Sequence, residues 1–177
     1  MSQYEVDIQD VKVKVCAADQ AVLIDTEVSE LKSAITHKQW RLVALDLKFD
    51  RSEAALLIVY VGSQCLTIQL GYLDSLPESL ERFKFNMQEL YKRYLKCKSR
   101  VEIGYLAARV LTNPDLVQGH GFENLANIVG MKIQQSTIDC TKTPSWKARV
   151  FSVKQVNFAV LDAYNAYHLG NKFLDMV

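Results

Sequence analysis

The stretch Ala44 to Asp50, ALDLKFD, places Asp46, Lys48 and Asp50 on alternate positions. Side chains alternate across a strand, so on an extended backbone all three line one face. Carboxylates gathered on such a face suit a hard divalent cation, because Mg2+ and Mn2+ prefer oxygen ligands. A lysine between them works the other way, since its ammonium is itself a cation. A different chemistry is suggested by residues 81–100, ERFKFNMQELYKRYLKCKSR, which hold 7 basic and 2 acidic side chains, net +5. Lys84, Lys92, Arg93, Lys96, Lys98 and Arg100 in that stretch suit a phosphate backbone. They equally suit the solvated face of a helix.

The elements that must carry these residues follow from periodicity. YEVDIQDVKVKVCA alternates apolar and polar residues about Gln9-Asp10, as a hairpin does. In TEVSELKSAIT, Val28, Leu31 and Ile35 recur at helical spacing, with Thr26 as a cap. RLVALDLKF, AALLIVYVG and CLTIQLGYL read as three strands joined by short turns, which favours antiparallel neighbours. Their alternation predicts core positions at Val43, Leu45, Leu57, Val59, Leu66, Ile68 and Leu70. The second half reads as helices. Ser75 to Glu78 fits a capping box ahead of a stripe through Leu80 and Phe83 to Leu95. EIGYLAARVL is a short helix or a strand then a helix, GFENLANIVG is a helix closed by Gly130, and a last helix starts near Ser152. Strands followed by helices predict one mixed α/β domain over residues 1–177.

Bulk properties narrow the classes. The 177 residues suffice to bury a core, and 49% hydrophobic with 23% charged is ordinary for a soluble domain. A net charge of +1 gives no global field for nucleic acid, although residues 1–80 hold 7 basic against 12 acidic side chains, net −5. No apolar run approaches the ~20 residues of a membrane span, and no secretory signal is visible. Cys16, Cys65, Cys97 and Cys140 lack metal-type spacing, as do His37, His120 and His168. Reduced thiols in cytoplasm or nucleus are the expectation.

In order and spacing these segments resemble the 3′–5′ exonuclease domain of the DEDD superfamily, nearest to the small plant-type relatives of the Werner syndrome exonuclease. The resemblance runs from about Tyr4 to Leu174. It implies a ribonuclease H-like fold, a mixed sheet flanked by helices. It also implies a site of four carboxylates holding two metal ions, with a tyrosine or histidine that orients water. On the family's motifs, Asp-x-Glu becomes Asp46-Leu47-Lys48. The second aspartate's place in NMQEL is taken by Asn86. Tyr-x-x-x-Asp becomes Phe158 with Asp162, and Asn157 stands where the histidine version needs His. Asp50 and Glu89 are the replacement ligands within reach.

The expected function is therefore a degenerate exonuclease-like protein without hydrolytic activity or a required cofactor. It binds RNA or single-stranded DNA, or oligomerises with itself or with active relatives, as a hexamer in some small relatives. Lys48 is read as an internal cation in the metal's place, or as a lysine that reaches solvent from a strand end. One alternative is an active Mg- or Mn-dependent exonuclease with rearranged ligands. Another is a different enzyme using Lys48, Asp46, Tyr60 or His168 on a small molecule.

Overall fold

Alternating residues at the N-terminus form the expected hairpin. In the computed structural model, which describes residues 1–81, 102–117, 121–135 and 145–177, β1 (Ser2–Ile8) pairs antiparallel with β2 (Val11–Ala18). Gln9 and Asp10 turn between them at φ 47° and 65°. Both angles lie in the left-handed region, whose twist suits a two-residue hairpin. Two further tight turns, with Arg51 at φ 58° and Gly62 at φ 62°, join β3 (Ala44–Asp50), β4 (Glu53–Val61) and β5 (Gln64–Gln69) into an antiparallel meander. β5 then runs parallel to β2, so the strand order is β1-β2-β5-β4-β3 and the sheet is mixed.

Helices cover the two faces. Tyr60 pairs with Cys65, and Cys65 with Val15, so these side chains share a face. Tyr60 meets Tyr164 and Tyr167 of α5 (Val153–Leu174) there. Cys16, one residue further along β2, points to the other face, where α1 (Ala21–Thr36) packs on β2 and β5. Burial, with Glu27 of α1 nearby, pushes the Cys16 thiol up to about 12. Cys16 and Cys65 are both buried and free, and their opposite faces exclude a disulfide between them. Cys97 and Cys140 lie outside the described residues.

Several boundaries differ from the sequence reading. α1 starts at Ala21, five residues before Thr26, and the Thr26 hydroxyl donates to the Val22 carbonyl at 3.1 Å. The threonine thus sits inside the helix, bonded one turn back, and caps nothing. α2 (Glu78–Glu81) begins at Glu78, with the Leu80 N–H bonded to the Pro77 carbonyl, so Ser75 lies ahead of the helix and not at its cap. Ser152 behaves as expected. Its hydroxyl accepts from the Gln155 N–H at 3.3 Å, and the Gln155 side chain accepts the Ser152 N–H at 2.9 Å.

The core lies mainly under the meander. Leu57, Val59, Leu66 and Ile68 are fully buried, as the alternation predicts. Val43, Leu45 and Leu70 are only half-buried. The first two precede or occupy the end strand of the described sheet, and Leu70 opens the 3-10 turn Leu70–Tyr72. Val156, Ala159, Val160, Ala163, Tyr164 and Tyr167 of α5 join this core. Its far end, Leu169 and Phe173, enters a second cluster with Ala107 of α3 (Ile103–Val110) and Leu125 and Ala126 of α4 (Phe122–Ile128). Gly130, at φ 65°, closes α4, and the Met131 N–H returns to the Ala126 carbonyl at 2.9 Å.

Two substitutions separate the contributions of sheet core and helix cap. Ile58→Ala, at a fully buried position, is expected to cost about 2–5 kcal/mol. Ser152→Ala is expected to cost about 0.5–2 kcal/mol, from the lost cap bond. Urea melts measure both. An Ile58→Ala loss no larger than the cap loss would mean that the meander is not the main core.

Candidate functional site

The site is assembled where β3 faces α5. Asp46 and Lys48 sit two residues apart on β3 and project to one side, toward the helix. Phe158 and Asp162 sit one turn apart on α5 and project back. Lys48 Nζ lies 2.8 Å from Asp46 Oδ2 and 2.5 Å from Asp162 Oδ2. With Asp162 the contact is also a hydrogen bond; with Asp46 Oδ2 it is an ion pair without hydrogen-bond alignment. The other Asp46 oxygen accepts the Leu47 N–H at 2.8 Å. The ammonium also stands 5.3 Å from the centre of the Phe158 ring, inside cation–π range. Phe158 is in turn stacked on Trp146, with ring centres 6.1 Å apart and planes 16° from parallel.

Burial gives these charges their weight. The Lys48 side chain is 11% exposed and Asp46 24%, whereas Asp162 is 50% exposed. Burial pushes the Asp46 carboxyl above the usual carboxylate value, against the pull of Lys48 and with a smaller push from Asp162. Burial alone would lower the Lys48 ammonium, but Asp46 and Asp162 outweigh it and hold the lysine above its ordinary value. Lys48 is thus a firmly protonated cation paired with two carboxylates. It does not reach past the strand end to solvent.

Of the residues singled out from the sequence, Asp46, Lys48, Phe158 and Asp162 lie together. Asn86 and Glu89 lie outside the described residues, as do Lys84, Lys92, Arg93, Lys96, Lys98 and Arg100. Asp50 is not in the cluster: it ends the strand beyond a bulge in the β3–β4 ladder and meets the Ser145 hydroxyl at 3.4 Å. Among the described residues no group of three or more His, Cys, Asp or Glu side chains is placed to hold a metal ion. Tyr60 and His168 belong to a separate aromatic cluster. The Tyr60 hydroxyl donates to the Gly62 carbonyl at 2.6 Å, and His168 packs against Tyr164 with ring centres 4.2 Å apart. His168 stands six residues beyond Asp162, roughly 9 Å along the helix at about 1.5 Å per residue. Burial, helped by Lys38, lowers the His168 imidazole, and burial raises the Tyr60 phenol, so both are held neutral. The residue missed from the sequence is Trp146, which backs Phe158. Its signal was one large aromatic in the polar stretch TPSWKAR.

No protein-family model matches this chain, and no curated protein sequence matches it. Solved structures do. The crystal structure of the EXD2 exonuclease domain matches with a TM-score of 0.50 and 20% identity, over 93% of this chain and 91% of that one. The same domain soaked in Mn and GMP gives a TM-score of 0.50 and 21% identity over 91% and 93%. Soaked in Mg and dGMP, it gives 0.50 and 21% over 92% and 90%. At this identity the likeness is one of fold: a mixed five-stranded sheet flanked by helices, as in that exonuclease domain.

Proposed function

We propose that this chain is a degenerate exonuclease-like protein that works by binding and does not hydrolyse phosphodiesters. The observation that carries the reading is the Lys48 ammonium, paired with both Asp46 and Asp162. In the family the sequence resembles, the corresponding carboxylates serve metal ions. A divalent ion shared by Asp46 and Asp162 would have to approach an ammonium already seated between them. Unit like charges about 4 Å apart repel by about 4 kcal/mol at an effective dielectric constant near 20. The cluster as built therefore does not fit a two-metal centre. Phe158 adds to this, because it presents a ring face to the ammonium and has no hydroxyl to orient water.

Binding is the use of the fold that we propose. The EXD2 domain was soaked with nucleotides, and the present chain carries a basic stretch at Lys84, Lys92, Arg93, Lys96, Lys98 and Arg100. RNA or single-stranded DNA is the proposed partner, held by phosphate contacts. The chain is also proposed to self-associate, as some small relatives in the resembled family do. In multi-angle light scattering it is expected to run above 20.1 kDa, and a monomer mass across a wide concentration range would remove this part.

In assays with 5′-labelled RNA and DNA strands, the protein is expected to release no 3′ nucleotides with Mg2+ or Mn2+. Hydrolysis that disappears on Asp46→Ala would overturn the proposal, because it would make Asp46 a working ligand.

Stability tests the internal cation. Lys48→Met leaves Asp46 and Asp162 close together without a counter-ion. Removing one partner of a fully buried pair costs about 3–5 kcal/mol and of an exposed pair about 0–1 kcal/mol. With Asp162 half exposed, about 2–4 kcal/mol is expected at neutral pH. The pH dependence follows from the Asp46 carboxyl. Its folded value lies above the unfolded 3.8, so its favourable contribution is fullest below pH 3.8 and is lost as pH rises through the folded value. Lys48 is raised above 10.5, so its contribution is full below that pH and is lost above the folded value. Removing the ammonium raises Asp46 further. The Lys48→Met penalty is therefore expected to shrink as pH falls toward 4 and Asp46 takes up a proton. Adding Asp46→Asn, the more buried carboxylate, should restore more stability than adding Asp162→Asn. A Lys48→Met loss within about 0.5 kcal/mol, the range of an ordinary surface change, would sink the internal-cation idea.

A further inference from the structure

A second concave site lies on the other side of Trp146 in the chain of contacts, and the cluster around Lys48 does not use it. β5 stops pairing with β4 at Leu56–Gln69, and the 3-10 turn Leu70–Tyr72 carries the chain away. Ala54 and Ala55 therefore have no β5 partner, and Ala55 is also the residue skipped in the ladder to β3. Among the described residues, no backbone hydrogen bond from the turn reaches either of them. Between this strand segment and the turn opens a cavity of about 310 Å3, lined by Glu53, Ala54, Ala55, Gln69, Gly71, Tyr72, Trp146 and Lys147.

The groups at its wall are selective. Tyr72 is 42% exposed, yet its ring is fixed, because its hydroxyl donates to the Lys147 carbonyl at 2.8 Å. Outside the lining, the Arg149 guanidinium lies 5.5 Å from the centre of that ring and 3.8 Å from Asp19 Oδ2, with its side chain 74% exposed. Gln69 is 3% exposed, and its amide donates to the Ala148 carbonyl at 2.8 Å, which holds the 145–149 segment against the turn. Lys147 reaches Glu53 at 3.4 Å, a pair exposed on both sides and so easily exchanged for an anion.

We infer that this cavity is a subsite for one unpaired nucleotide, its base between Tyr72 and the Ala54–Ala55 strand edge and its phosphate toward Lys147 and Arg149. Ligand pockets span roughly 300–1,000 Å3, so this cavity is at the small end and admits one base with its sugar. A planar base uses what is offered: an aromatic face for stacking, and a strand edge with both donors and acceptors for its polar rim. An extended peptide would also bond a strand edge, but it needs a longer run than two residues and has no use for two cations beside an aromatic ring. The inference deepens the nucleic-acid reading and rests on it for the natural ligand, a single-stranded RNA or DNA.

Trp40 and Trp146 are the two tryptophans, so Trp40→Phe leaves Trp146, at the cavity wall, as the emitter. In that background, AMP, GMP, CMP and UMP and a short uridine oligonucleotide are titrated while Trp146 emission is read. Saturable changes are expected with the mononucleotides. Tyr72→Ala should weaken binding at least about fivefold, the low end of what a stacked base contributes. Tyr72→Phe keeps the ring but loses the hydroxyl that fixes it, so it should weaken binding less than Tyr72→Ala, and Tyr105→Ala, a comparably exposed tyrosine on α3, should not change binding. Gly71→Leu serves as the second variant. A Cβ at Gly71 meets no atom within 4 Å, so the change is tolerated by the fold while it obstructs the wall. It should weaken binding as Tyr72→Ala does, and it decides the matter if Tyr72→Ala fails to fold. Oligonucleotide binding that neither variant weakens would overturn the subsite and leave the nucleic-acid reading standing. Mononucleotide binding lost in both variants, with no oligonucleotide binding, would keep the subsite and remove that reading. Absence of any nucleotide binding would overturn both.

Discussion

Helix α5 is the constraint on which the rest of the structure depends. Its first two-thirds bury Val156, Ala159, Val160, Ala163 and Tyr164 against the sheet, and its last turns bury Leu169 and Phe173 in the second cluster. Sheet and C-terminal helices therefore share one rod. The Ser152–Gln155 capping box closes the start of that rod. Its rotational phase is set by the apolar residues it buries, and in that phase Phe158 and Asp162, one turn apart, meet Lys48 of β3.

Much of this was legible from residue types. The meander appears in the sequence because alternation and tight turns reinforce one another there. The Ser152 cap appears because its partner Gln155 stands at the expected spacing. Thr26 misled because a threonine bonded to a carbonyl one turn back looks, in sequence, like a threonine that caps. Ser75 misled for a related reason: Pro77 sits between it and the helix start, and it sets the helix boundary by geometry and not by side-chain capping. Val43 and Leu45 are apolar but only half-buried, since apolarity states what a residue tolerates and strand order states what covers it. Spacing gave only the two faces, Asp46 with Lys48 on a strand and Phe158 with Asp162 on a helix; that the two meet came from the family resemblance. Trp146 carried a local signal, one large aromatic in a polar stretch, but that signal says only that the ring is buried somewhere and does not name Phe158 as its partner.

The cluster at Lys48 also shows how burial alters the meaning of a common pair. On a surface, a lysine two residues from an aspartate on a strand contributes little, because water screens both. Here the ammonium is almost enclosed, by Asp46 and Phe158 with Asp162 at the open side. Desolvation works against every charge in the group, and only their mutual proximity offsets it. Such a cluster specifies its own arrangement. Asp46 cannot leave without stranding Lys48 with one half-exposed partner, and Lys48 cannot leave without setting two carboxylates against each other.

From this follows a difference in how strand and helix are held together. A junction of carboxylates bridged by a free ion is closed only when the ion is bound, so its stability tracks the ion's concentration. A junction bridged by a lysine of the same chain carries its cation covalently and closes on folding. Under the proposed function, that exchange makes β3 and α5 a permanent scaffold. It keeps the tilt of α5 and the stacking of Phe158 on Trp146 fixed at all metal concentrations. Trp146 also forms part of the wall of the cavity beside Tyr72. Lys48 therefore steadies, through two aromatic rings, the shape of the surface next to it.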